Sequence, residues 1–227
     1  MLFRSGYANY ANITTPSRRY AVYPIDPEMN FVPWNNFASR SVNAYKAELL
    51  KIDAIMYRIT DRRHSDALIA ARARGVPIRL ISEPLQYRDS TRLWHAWNID
   101  RLHMAGVQIR HRKHAGLSHE KLTLLYGQST LIFGSSNWTS ASAESQAEHN
   151  LFTKNTAFFN WSVTHFERKW FNRAPGGVVE TEAFTPLPPD TPVLKQPANS
   201  AAGQPTDRKS TRLNSSHTDI SRMPSSA

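Results

Sequence analysis

The sequence predicts an α/β fold, a mixed β-sheet sandwiched by helices, and three observations carry that expectation. An apolar run at 53–60 (DAIMYRIT), a helix-compatible stretch and a second apolar run at 76–82 (VPIRLIS) follow one another. That order implies parallel strands with a helix on one face. Two more apolar runs, 121–126 and 130–133, are joined by a turn at Gly127-Gln128, and an amphipathic pattern at 157–171 closes the unit.

Taken in order, residues 6–35 are rich in Pro, Asn, Tyr and Thr and predict an extended lead-in, with one short strand near Tyr20–Tyr23. From Ser39 to Leu50, Val42, Tyr45, Leu49 and Leu50 can share a helical face. Asp61 is placed to cap a helix that holds Ala67, Leu68, Ala71 and Ala73 and ends at Gly75. A further helix is expected over Thr91–Ala105, stopped by Gly106, then a strand at Val107–Arg110. The strand Glu148–Thr153 precedes the last helix, whose Phe158, Trp161, Val163, Phe166 and Trp170 read as core. The chain then turns Pro-rich (TPLPPDTPV). The expected organisation is a lead-in at 1–35, one domain at 36–173, a Pro-rich linker at 174–206 and a disordered tail at 207–227.

A chain of 227 residues, 40% hydrophobic, is long enough for one domain with a real core. No stretch approaches the ~20 apolar residues of a membrane helix, and the opening residues lack an apolar signal-peptide core. Cysteine is absent, which excludes disulfides, thiolate metal sites and cysteine nucleophiles and leaves the compartment open. The net charge of +10 favours phosphate-rich partners, nucleic acid or anionic headgroups. Residues 2–5 and 207–227 resemble translated sequencing adapter. The tail accounts for a net +2 and Arg4 for +1, so the rest of the chain still carries +7. On that reading the natural gene is expected to continue beyond both ends.

The chemistry concentrates at His119-Glu120-Lys121 and, thirteen residues after Lys121, at Gly134-Ser135-Ser136-Asn137. On a strand, His119 and Lys121 point to the same face. An imidazole beside an ammonium, with a hydroxyl and an amide on the next strand end, suits a tetrahedral phosphate. Lysine neutralises oxygen charge, Ser135 and Asn137 donate hydrogen bonds, and His119 can attack phosphorus or move a proton.

The pattern resembles the phospholipase D superfamily motif His-x-Lys-x4-Asp-x6-Gly-Ser-x-Asn. Residues 39–171 are also similar to the family's minimal single-motif endonucleases. The resemblance implies Glu148, eleven residues after Asn137, as the carboxylate that accepts from His119 and fixes its tautomer. One position departs: Tyr126 stands where the motif has aspartate. The resemblance implies a phosphodiesterase in which two such halves meet, one His forming a phosphohistidine and the other protonating the leaving oxygen, with no cofactor and no metal. This chain shows one half, so the second is expected from the missing part of the polypeptide or from a homodimer. Nucleic acid is slightly favoured as substrate over a phospholipid headgroup; a non-catalytic phosphate-binding half-domain is the reading from another class.

The expected site is therefore His119, Lys121, Asn137 and Glu148 for catalysis, with Lys121, Ser135, Asn137 and Trp138 on the substrate. Other residues are weighed beside it. His111 and His114 flank a basic loop and, with His119, lack a carboxylate at metal-ligand spacing. Trp94 and Trp97 read as helix-packing residues. Arg58, Asp61, Arg62, Arg63 and His64 follow a strand's carboxyl end, where α/β pockets form. His149 falls on the strand face opposite Glu148.

Overall fold

The computed structural model describes residues 27–188. Eight strands form one mixed sheet: β1 (Met29–Val32), β2 (Ile52–Met56), β3 (Ile78–Ser82), β4 (Gln108–Arg112), β5 (Lys121–Leu125), β6 (Thr130–Gly134), β7 (Glu148–Thr153) and β8 (Thr181–Ala183). Their order across the sheet is β1-β7-β6-β5-β2-β3-β4-β8, with β2, β3 and β4 parallel and the other pairings antiparallel. Six helices accompany it: α1 (Phe37–Ala47), α2 (Arg62–Ala73), α3 (Pro84–Arg88), α4 (Leu93–Met104), α5 (Ser140–Glu144) and α6 (Thr156–Trp170). The α/β sandwich expected from the sequence is the fold observed.

The central strands β2 and β5 are buried along their whole length because both faces of the sheet are covered. Alternation divides them. Ile52, Ala54, Met56, Ile78, Leu80 and Leu125 join Phe37, Tyr45, Leu68, Ile99 and Leu102 on the face carrying α1, α2 and α4. Ile55, Ile81, Leu122, Leu124 and Leu131 join Phe166 and Trp170 of α6 on the other. Asp61 caps α2 as expected, its side chain accepting from the Arg63 amide.

The sheet takes in two strands outside the expected 36–173 unit. β1, from the lead-in, pairs with β7, and β8, from the segment expected as linker, pairs with β4. Asn172 makes the second possible. It adopts a left-handed φ of 54° after α6, and its side-chain oxygen accepts from the amides of Glu180 and Thr181 at 2.9 and 2.8 Å. That turn returns a three-residue strand to the sheet edge, and the prolines beyond it mask so short an element in the sequence. The strand expected near Tyr20–Tyr23 and the tail at 207–227 lie outside the described residues.

Candidate active site

The candidate residues converge at one end of three adjacent strands. Lys121 opens β5, opposite Met56 of β2, and Ser135 follows β6. Glu148 opens β7. Gly134 is required at the end of β6: a Cβ there would lie 2.2 Å from the His149 carbonyl oxygen. The close approach lets the Ser135 amide donate to that carbonyl at 3.0 Å while its hydroxyl accepts from the His149 amide at 3.1 Å. His149 is exposed and its ring lies against Phe31 of β1.

Lys121 is 8% exposed, and its ammonium donates to the His119 carbonyl at 2.6 Å and to Nδ1 of the His119 ring at 2.9 Å. Burial pushes the Lys121 pKa down to about 8, a shift that the Glu148 carboxylate opposes. His119 is exposed, and partial burial together with Lys121 holds its pKa below the ordinary value. Because an ammonium faces Nδ1, that nitrogen is an acceptor, so the neutral ring carries its proton on Nε2.

Here one expectation is corrected. Glu148 accepts from the Ser142 hydroxyl at 3.0 Å, and Nδ1 of His119 is taken by Lys121 instead. The same-face spacing of two puts the ammonium on the imidazole first. The Glu148 charge still bears on Lys121, whose pKa it raises against the effect of burial.

Trp138 requires a second correction. It is fully buried, its indole stacked on His64 at 5.1 Å and edge-on to Tyr45, so it offers no surface to a substrate. Its backbone has the use instead. The Trp138 amide donates to the Arg58 carbonyl at 3.0 Å, and its carbonyl accepts from the amides of Thr60 and Asp61 at 2.8 and 3.0 Å. Trp138 therefore anchors the motif loop to the chain leaving β2. Asn150 anchors the same loop from β7: its side chain accepts from the Ser136 amide at 3.2 Å and donates to the Ser136 hydroxyl at 2.8 Å. Between these anchors Asn137 is half-buried, and its amide oxygen is buried without a hydrogen-bond partner among the described residues.

Tyr126 lies at the opposite end of β5 from Lys121, roughly 16 Å away at ~3.3 Å per residue. Its hydroxyl donates to the buried Asp53 carboxylate at 2.7 Å. Asp53 also takes two bonds from Arg79 at 2.8 and 2.7 Å and pairs with Lys51 at 3.1 Å; Arg79 bonds Glu167 of α6. The missing motif carboxylate thus has a counterpart on the neighbouring strand, in a network fastening α6 to the sheet. The departure does not touch the His119 end.

Several neighbours carried no motif signal. The Tyr57 ring meets the His119 imidazole edge-on at 4.4 Å and lies 5.3 Å from the Lys121 ammonium, while Gln86 of α3 donates to its hydroxyl at 2.9 Å. Glu120, between His119 and Lys121, points the other way and accepts from His165 and Lys169 of α6, tying the motif strand to that helix. Beside His119 and Lys121 opens a groove of about 340 Å³ walled by Phe133, Phe158 and Trp161, all partly exposed.

The remaining candidates lie elsewhere. His64 is buried under Trp138 and burial drives its pKa down to about 3. Arg63 is committed to Asp61 and Glu144, and Arg62 to Asp66. His111 packs against Tyr87 and Phe184, and Trp94 and Trp97 meet edge-on on α4. Among the described residues no group of three His, Asp or Glu side chains is arranged to hold a metal ion, so His111, His114 and His119 are not brought together. No helix among them is long and apolar enough to cross a membrane.

Residues 45–170, more than half of the chain, match the family model described as cardiolipin synthase, PLD-like domain. The chain belongs to the phospholipase D superfamily. Human mitochondrial cardiolipin hydrolase is 27% identical over 132 residues, 58% of this chain and 50% of that protein. The Xenopus laevis protein of that name is 35% identical over 69 residues, 30% of this chain and 32% of its own. The chain thus spans about half the length, or less, of these curated relatives. Among solved structures, the phospholipase D family member Nuc from Salmonella typhimurium superposes with a TM-score of 0.59 at 16% identity, covering 69% of this chain and 96% of that one. NucT from Helicobacter pylori gives 0.57 at 15% identity, with 69% and 97% covered. Likeness at these identities concerns the fold.

Proposed function

We propose that this phospholipase D superfamily chain supplies one half of a phosphodiesterase site, with His119 as the reacting imidazole. The observation that carries the reading is the contact of the Lys121 ammonium with His119 beside an open groove. A phosphodiester entering there would take the Lys121 ammonium on a non-bridging oxygen, with Ser135 and Asn137 donating to the others. Nε2 of one histidine attacks phosphorus; the P–N bond forms as the P–O bond to the leaving group breaks. The leaving oxygen takes its proton from the second histidine, which then draws a proton from water as that water displaces the first. Attack by His119 requires its proton on Nδ1, so Lys121 must turn its donation from the ring to the phosphate first.

The second histidine comes from another half, as in a homodimer. Nucleic acid is the favoured substrate on the net charge of +10. The aromatic wall of Phe133, Phe158 and Trp161 favours the runner-up, a phospholipid whose acyl chain follows the groove. Turnover of single-stranded DNA and phosphatidylcholine vesicles, measured side by side in EDTA, separates the two. DNA cleavage above phosphatidylcholine hydrolysis is the expected result; turnover of neither would leave a non-catalytic phosphate-binding half-domain.

A further inference from the structure

We propose that Glu83, which lies outside the motif, is a positioning residue for His119 and acts through the loop 113–118. The inference rests on the reading of His119 as the reacting group. Glu83 follows β3 and is fully buried, and four N–H groups fill its carboxylate. Arg112, at the end of β4, donates from Nε and Nη2 at 2.7 and 2.8 Å. The amide of Ser118 donates at 2.9 Å and that of Leu85, in α3, at 3.1 Å.

Two of those donors bracket the loop that delivers the reacting group. Arg112 is the last residue of β4, directly before the loop, and Ser118 is the residue before His119. Between them Lys113, Ala115, Gly116 and Leu117 are exposed, and Gly116 takes a left-handed φ of 87°. The third Arg112 nitrogen bonds the His114 carbonyl inside the loop. One buried carboxylate therefore closes an otherwise exposed loop at both ends and sets where the chain re-enters the sheet at His119. Burial alone would raise the Glu83 pKa; Arg112 and the two amides more than offset that, so the carboxylate stays charged. The same stretch holds the other side of His119, since Gln86 bonds the Tyr57 hydroxyl and the Tyr57 ring abuts the imidazole.

Glutamine at position 83 keeps the shape but turns an NH2 towards N–H groups that need an acceptor. The test is Glu83→Gln and Glu83→Asp in the full chain, with bis(4-nitrophenyl) phosphate as substrate and NMR titration of His119 alongside. Loss of positioning predicts kcat lower by about 10- to 100-fold in E83Q with KM within about twofold, E83D falling between it and wild type. It also predicts a His119 pKa that rises towards the ordinary histidine value as the Lys121 contact loosens, and faster exchange of the Ser118 amide. Wild-type kcat and an unshifted His119 in folded E83Q would overturn the proposal, as would E83D no better than E83Q. If E83Q does not fold, the double variant E83Q/R112Q removes both buried charges together, and the same readings decide. A wild-type chain without turnover refutes the phosphodiesterase reading instead, and the titration and exchange then still decide whether Glu83 sets His119.

Discussion

Lys121→Met separates what Lys121 does for the reaction from what it costs the fold. Burial lowers the Lys121 pKa from 10.5 to about 8. Between pH 8 and 10.5 the unfolded chain holds this proton and the folded chain does not, so stability rises with pH across that window. Below pH 8 both states are charged and the folded state carries the full penalty. At ~1.36 kcal/mol per pKa unit the penalty is about 3 kcal/mol, and methionine, of similar length and uncharged, does not carry it. The wild type should therefore gain about 3 kcal/mol on K121M between pH 7.5 and 10.5, roughly 6–12 °C in Tm for a domain of this size. Paired thermal melts at half-unit pH steps give the difference directly and cancel every other titrating group. Activity should move the opposite way: phosphodiester turnover falls above pH 8 as the ammonium is lost, and K121M is inactive throughout. Parallel wild-type and K121M stability curves across that window would refute a buried, charge-strained Lys121.

Three further expectations follow from the same geometry. If a second copy completes the site, specific activity should rise with protein concentration and level off where sedimentation shows a dimer; a monomer with concentration-independent turnover would contradict this. Trp138→Ala should cost about 3–5 kcal/mol in chemical denaturation, because it empties the space under His64 and Tyr45, whereas an exposed substrate-binding tryptophan would cost far less. Tyr126→Phe should lose about 1.5–3 kcal/mol of stability through the Asp53 bond and leave KM and kcat unchanged, since the residue sits at the far end of β5; a large loss of kcat at unchanged stability would show that the position acts on the site.

How far the sequence was legible follows from the range of each interaction. Local signals held: Asp61 caps its helix, and β7 has the bounds Glu148–Thr153 that alternation predicts. The motif spacing located His119, Lys121, Ser135 and Asn137 at one end of neighbouring strands because the lengths of β5, the turn and β6 are written in the spacing itself. Elements of three to five residues, such as β8, α3 and α5, are too short for any period to register. Side-chain direction in a loop has no period either, so the place of Trp138 next to Asn137 suggested the pocket while its indole fills the core. Long-range partners were out of reach. Nothing in the spacing of Glu83, Arg112 and Ser118, or of Tyr57 and His119, announces that they meet.

The most direct test of the central claim is phosphodiester turnover by the full chain and by His119→Ala, side by side in EDTA, with folding of both checked by circular dichroism. The account predicts turnover by the wild type and a loss of about 1,000-fold or more in H119A, since removal of the nucleophile or proton carrier leaves only binding and charge stabilisation. Turnover by H119A at the wild-type rate would contradict it.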